Sequence, residues 1–214
     1  MRKLFYFTII VASGYGVSIL IGLWQGTFTG QQLLYYTILS NIIIFIFYIV
    51  LLSAAFSKSS KGETYYNVRG ALTLMIIITG LIYHILLAPQ LNDVNVYAND
   101  SIADFLVHTY TPIAVFIDWV FFTKIPSPRK LKPLYWLSIP FAYWILAIVY
   151  ASLKIPFKLT GNYYAYYFID MNHLGFLQVL LNVSACSVVF FLIGILLKTI
   201  KQLQNKNNFF NKYL

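Results

Sequence analysis

Apolar residues run along this chain in six blocks, each close to the roughly 20 residues that an α-helix needs to cross the hydrocarbon core of a bilayer. The blocks fall at about 4–24, 33–55, 69–88, 102–122, 133–153 and 174–198, separated by polar, proline-containing or charged stretches. The pattern predicts an all-α integral membrane protein: a single domain of six transmembrane helices over residues 1–200 and a polar, basic C-terminal tail over 201–214. From Lys198 onward the chain reads as a frayed amphipathic extension whose lysines meet anionic lipid heads. The first block follows Met1-Arg2-Lys3. It is too long for a removed signal peptide and lacks a small-residue cleavage site. Within it Gly14, Ser18 and Gly22 recur every fourth residue, a face that lets another helix approach closely. Pro126, Pro128 and Pro133 stiffen the turn before the fifth helix, and Pro140 is expected to kink that helix.

Polar residues inside the blocks carry the chemical information, and the fourth block, DFLVHTYTPIAVFID from Asp104 to Asp118, holds most of it. At about 100° per residue Asp104, His108, Thr111, Val115 and Asp118 form one stripe of a helix. Such a stripe must face protein or water instead of lipid. Counting a rise of about 1.5 Å per residue, Thr37 lies about 6 Å below the outer end of its helix, His108 about 9 Å and His84 about 6 Å. Ser40 and Asn41 follow within a turn of Thr37, and Gln178 and Asn182 on the sixth helix reach a similar or slightly deeper layer. The expectation is that His108 serves as a base for the Thr37 hydroxyl.

Each of these residues also has a structural reading. A threonine in a membrane helix commonly bonds back to a carbonyl one turn earlier. Asn41 and Asn182 serve interhelical packing as readily as an oxyanion hole. Asn182-Val183-Ser184 matches a glycosylation acceptor but lies within a crossing. Asp104, one turn above His108, is positioned to orient the imidazole or to sit among headgroups. Asp118 lies toward the other end of its helix, where Arg69 or a loop lysine is its natural partner. His84 and His173 read as interfacial, His84 being the better placed of the two for the site.

Composition fixes the class and removes others. With 60% hydrophobic and only 10% charged residues, the chain cannot hide its apolar surface from water as a soluble domain. The formal charge of +9 would suit nucleic acid only on a soluble face, and here the basic residues sit in short loops beside apolar segments, so no nucleic acid is expected. A lone cysteine, Cys186, supports neither a disulfide framework nor a thiolate metal site. Thirteen of the fifteen Lys and Arg residues gather on the side of the N-terminus, and only Lys154 and Lys158 on the other. The positive-inside rule then puts both termini in the cytoplasm. The loop at 88–100 is polar and acidic. Between Lys154 and His173 the run GNYYAYYFIDMNH reads as a headgroup-level aromatic belt or, more sharply, as a cover that gates lipid access to the bundle.

YYTILSN at 35–41, HTYTPIAVFIDW at 108–119 and the aromatic YYAYYFIDMN segment at 163–172 together resemble the androgen-induced-gene and androgen-dependent-TFPI-regulating type of multispanning membrane protein, including its bacterial relatives. The likeness extends over nearly the whole chain in helix number, spacing and order. It implies an atypical threonine hydrolase that cleaves fatty acid esters of hydroxy fatty acids, with Thr37 as the nucleophile and His108 as the base. Ser40-Asn41 after the threonine departs from the animal members and is closer to the bacterial branch, which leaves the ester itself open. The expected site thus has Thr37 and His108 as catalytic residues and Ser40, Asn41, His84 or Asn182 as oxyanion or positioning donors. Asp104, Thr111 and Asp118 have orienting or structural roles, and neither metal nor cofactor is required. The expected partners are a lipid or fatty acyl ester and the membrane itself, in a bacterial cytoplasmic membrane; protein partners are left open.

Two other classes are consistent with the pattern. His84 and His108 on adjacent helices at similar depth suit the axial positions of a haem or electron-transfer protein, although no second pair lies on the inner side. A noncatalytic lipid-binding or transport bundle is the other, without the clear internal repeats or broken helix pairs that transporters usually carry.

Overall fold

The computed structural model describes residues 2–54, 62–91, 102–158 and 160–213 of the 214 in the chain. Among the described residues there are no strands, and six helices are long and apolar enough to cross a membrane. They are α1 (Arg2–Leu20), α2 (Tyr36–Ser53), α3 (Glu63–Leu87), α4 (Ile102–Phe122), α5 (Pro133–Ser152) and α6 (Phe176–Lys206). The protein is therefore an all-α, multi-pass membrane bundle. Most of the acidic connection expected at 88–100 lies outside the described residues, from 92 onward.

The helix ends differ from the apolar blocks for local reasons. α1 stops at Leu20 because Gly22 takes a left-handed backbone (φ 76°) that turns the chain back on itself. The close-approach face of α1 is accordingly shorter than the Gly14, Ser18, Gly22 repeat suggests. A side chain at Gly14 would strike the Phe45 ring of α2, and one at Gly16 would strike Val107 of α4. Ser18 instead accepts a hydrogen bond from the Trp24 indole. α5 is interrupted at Leu137, where the segment Pro133–Trp136 ends and Ser138–Ser152 begins. Pro140 cannot donate to the Trp136 carbonyl, which accounts for the break expected there. The helix of α6 continues without interruption to Tyr213, so the basic tail is an extension of the last crossing instead of a frayed end.

α3 forms the axis of the bundle. Half of the residues in its most apolar stretch are buried, against 11% in α5 and in α6. Tyr6, Ile9, Ile44, Tyr48, Met75 and Val115 fill the space among α1 to α4. At the end of the bundle that carries the N-terminus, Arg69 of α3 pairs with Asp118 of α4 at 2.5 Å, and both are buried. Tyr48 donates to the same carboxylate oxygen at 2.8 Å, and Arg69 donates to the Tyr6 and Tyr65 hydroxyls. Two charges this deep in an apolar bundle persist only when paired, and this pairing fastens α1, α2, α3 and α4 together. α6 is tied to the same end through hydrogen bonds from Trp119 to the Leu197 carbonyl and from Lys201 to the Val120 carbonyl. The first turns of α2, α4 and α6 lie at the opposite end, where the polar layer expected from the sequence is found.

Candidate active site

Thr37 owes its setting to where α2 begins. Gln31–Leu34 make a single 3-10 turn, Tyr35 is extended, and the helix starts at Tyr36, three residues later than the apolar block predicts. Thr37 is thus the second residue of the helix. There is no preceding helical turn for its hydroxyl to bond back to, and the first-turn amides have no helical carbonyl to serve. Its hydroxyl meets His108 Nε2 at 3.1 Å, and both residues are buried.

His108 sits in a widened turn of α4. Over Leu106–Tyr110 the hydrogen bonding runs from each residue to the fifth one on, with the Thr111 amide reaching the Leu106 carbonyl. Such π turns cluster at functional sites. In that register the next donor, to the Val107 carbonyl, would be residue 112, which is a proline and has none. Asn41 of α2 supplies the missing hydrogen: its Nδ2 donates to the Val107 carbonyl at 3.2 Å and to the Thr37 carbonyl at 2.9 Å. The His108 carbonyl, which Pro112 also leaves without its usual α-helical donor, packs on Gly80 of α3, where an added Cβ would stand 2.9 Å from the oxygen.

The rest of the imidazole's surroundings fix its tautomer. Asp104, one turn earlier, lies 2.9 Å from His108 Nδ1. A carboxylate only accepts, so Nδ1 carries the proton and the Nε2 lone pair accepts from the Thr37 hydroxyl. Tyr83 of α3 donates to the other Asp104 oxygen, and its ring lies flat on the imidazole, 3.8 Å between centroids and 8° from parallel. Tyr83, Asp104, His108 and Thr37 thereby form a continuous chain of hydrogen bonds across α3, α4 and α2. Ser40 completes the ties, donating to the Thr37 carbonyl at 3.0 Å and meeting the Thr79 hydroxyl of α3 at 2.8 Å.

The oxyanion candidates are placed differently from expectation. Ser40 and Asn41 are beside Thr37, but their donors already serve carbonyls or Thr79. His84 is exposed and bonds Thr109 on α4 at 3.0 Å. Neighbouring residues of a helix point about 100° apart, and it is Tyr83 that faces the site. Asn182 donates to the Phe168 carbonyl at 2.9 Å and so anchors the aromatic segment to α6. Thr111 is buried one turn below His108, its hydroxyl without a partner among the described residues. Asp118 belongs to the ion pair at the other end, and His173 is exposed beside the Asp170 cap of a short helix. Tyr83 and Tyr166 escaped the sequence reading because tyrosines near bilayer ends are read as a belt. The Tyr166 hydroxyl lies 3.4 Å from the Thr37 amide nitrogen.

Beside Thr37 opens a cleft with about 750 Å³ of empty space, its mouth included, walled by α3, α5, α6 and the aromatic segment. Ile78, Ile82, Phe141, Phe168, Val183 and Phe190 line it, and among the described residues no charged one does. Among the described residues no cluster of His, Cys, Asp and Glu is arranged to hold a metal ion. Both ring nitrogens of His108 are engaged, by Thr37 and Asp104, while His84 meets Thr109 through Nε2.

Fold and geometry together describe a six-helix membrane bundle in which a buried Thr and His and a half-buried Asp, in hydrogen-bond sequence, adjoin an apolar cleft. Comparison with protein-family models, with curated proteins and with solved structures returned no match.

Proposed function

We propose that this protein is a membrane-embedded lipid ester hydrolase with Thr37 as nucleophile and His108 as general base, oriented by Asp104. The observation that carries this reading is the relay from Asp104 through His108 to Thr37 at the wall of an apolar cleft. His108 Nε2 takes the proton as Thr37 Oγ1 attacks the ester carbonyl carbon. The C–O bond to the leaving alcohol breaks, and His108 returns the proton to that oxygen. Water, deprotonated by His108, then attacks the acyl-threonine, freeing the acid and restoring the hydroxyl. Asp104 holds the Nδ1 proton and balances the imidazolium that forms. Developing negative charge on the carbonyl oxygen needs donors about 3 Å away. The Tyr166 hydroxyl, which accepts from the Thr37 amide at 3.4 Å at the positive end of α2, suits that task.

In this reading the acyl chain lies in the cleft, and the ester arrives from the leaflet at the Thr37 end. The charge bias favours the outer leaflet for that end, and the proposed setting is a bacterial cytoplasmic membrane. Substrates of the kind implied by the motif resemblance, fatty acid esters of hydroxy fatty acids, are one class to test. The decisive experiment measures hydrolysis of a panel of lipid esters by purified protein in liposomes, with Thr37→Ala and His108→Ala checked for folding. Each is expected to lose at least about 100-fold, and Thr37→Ala to lose covalent labelling by a fluorophosphonate. Wild-type rates in both variants overturn the assignment. Lipid binding retained without any Thr37-dependent turnover would make the bundle a lipid-binding protein instead.

A further inference from the structure

The cleft beside Thr37 has a floor, and its depth follows from the helix rise. Its lining residues nearest the Arg69 end of the bundle are Ile78 on α3, Pro140 on α5 and Phe190 on α6. One turn further toward that end the three walls meet at Gly194 of α6. A Cβ there would stand 3.1 Å from Pro133 Cβ, 3.6 Å from Trp136 Cε3 and 3.8 Å from Leu74 Cδ2. Such a small residue lets α6 settle against α5 and α3. Leu74 and Trp136 are fully buried in a cluster with Trp119, Leu131 and Leu197, against which Phe190 packs. The cleft therefore ends where its own walls touch.

The Thr79 hydroxyl of α3 meets that of Ser40 at 2.8 Å. Thr79 thus lies at the level of Ser40, about 4.5 Å beneath Thr37 at a rise of about 1.5 Å per residue. By the same count Ile78 lies about 6 Å beneath Thr37, and Leu74, where the walls touch, about 12 Å. An extended chain of single bonds advances about 1.2 Å per bond. The space beneath Thr37 then takes about five carbons down to Ile78 and about ten at most down to the Gly194 contact. A palmitoyl chain would need about 18 Å. With no charged residue on the wall among those described, the apolar acyl chain is the part that runs inward, and the polar alcohol portion stays at the outer rim. We propose that Ile78, Pro140 and Phe190 form a chain-length stop, so that the substrates are lipid esters with a medium-length acyl group of about six to ten carbons. The inference rests on the hydrolase reading and names its substrate class.

The test follows p-nitrophenol release by the full chain in detergent micelles, from the butanoate, hexanoate, octanoate, decanoate, dodecanoate and hexadecanoate esters. In the wild type each methylene that finds room should raise kcat/KM about threefold to fourfold, up to the octanoate or decanoate. The hexadecanoate should fall at least about tenfold below that optimum. Phe190 is half-buried, so its ring can be changed with least damage to the core. Phe190→Ala should move the optimum to the dodecanoate, and Phe190→Trp should move it back toward the hexanoate. Val189→Ala, at the exposed neighbouring position of α6, should leave the wild-type profile in place. The ratio of variant to wild type at each length cancels partitioning of the esters into detergent. A chain that leaves sideways between α5 and α6 would give a wild-type profile that is flat or still rising at the hexadecanoate, which overturns the stop. So does a profile that neither Phe190 variant moves. Thr37-dependent cleavage of the butanoate, short enough to end above the floor, judges the hydrolase reading separately. If it is present and the profile is flat, the stop alone fails. If the wild type cleaves none of the esters faster than Thr37→Ala, both fail.

Discussion

Gly80 is the residue whose substitution would test whether α3 sets the position of His108. In Gly80→Ala the new methyl carbon would stand 2.9 Å from the His108 carbonyl oxygen and 3.1 and 3.2 Å from Pro112 Cβ and Cγ. Nonbonded carbon contacts settle near 3.5 Å or beyond, so α4 must withdraw from α3 by about 0.5 Å. The opposing atoms are a backbone oxygen and a proline ring, neither of which can rotate away. The Thr37–His108 contact is 3.1 Å, and a withdrawal not directed at α2 stretches it to about 3.6 Å, beyond hydrogen-bond range. Displacement on this scale is expected to reduce turnover about 10- to 100-fold, alongside about 1–3 kcal/mol of overpacking strain. Gly70→Ala is the control. It forces a closer clash, 2.3 Å from the Trp136 ring near the other end of α3, and is expected to lower the unfolding temperature without a matching loss of turnover per folded molecule. Ester hydrolysis per monodisperse protein and thermal unfolding followed by tryptophan fluorescence measure the two effects. A folded Gly80→Ala protein with wild-type turnover refutes the reasoning.

The other expectations concern the hydrogen-bonded ties. Asp104→Asn can present an amide hydrogen to His108 Nδ1, which drives the ring proton to Nε2 and leaves Thr37 without a base; hydrolysis should fall about 100-fold or more while the unfolding temperature changes little. Asn41→Leu removes the donor that the Val107 carbonyl lacks because of Pro112, and should cost about 1–3 kcal/mol in thermal unfolding, with turnover reduced beyond the loss of folded protein. Arg69→Met strands the Asp118 carboxylate and should cost about 3–5 kcal/mol, most of it regained in the double variant Arg69→Met with Asp118→Leu. Failure of the second substitution to restore unfolding stability would mean that the pair is more than a clamp.

Much of this arrangement was legible because bilayers impose simple arithmetic. Six apolar blocks gave six crossings, and residue counts from the helix ends brought Thr37 and His108 to one level before any contact was known. The stripe on α4 could be read because a polar face in lipid must turn inward. What escaped the sequence depends on departures from the uniform helix that such counting assumes. The start of α2 at Tyr36 follows from the extended Tyr35, and it gives Thr37 its free helix end. The π turn around His108 and the proline after it create a carbonyl that only a side chain from another helix can satisfy. The sequence therefore leaves Asn41 open between interhelical packing and an oxyanion donor, and the structure commits its amide to the Val107 and Thr37 carbonyls. Depth singles out His84 on α3, but a one-residue difference on a helix makes Tyr83 the residue that faces Asp104.

The division of labour among the helices bears on how a lipid would reach Thr37. α2, α3 and α4 are cross-tied at the site by Thr37–His108, Ser40–Thr79, Asn41–Val107 and Tyr83–Asp104, and at the other end by the Arg69–Asp118 clamp. α5 and α6, which wall the cleft, bury little of themselves. Between membrane helices no hydrophobic penalty opposes separation, because lipid tails are as apolar as the side chains they replace. Parting α5 from α6 therefore costs mainly packing contacts, whereas moving His108 relative to Thr37 breaks several buried hydrogen bonds at once. A bundle built this way can open sideways to the bilayer while Thr37 and His108 hold their geometry, and such preorganisation is what the proposed proton relay would require.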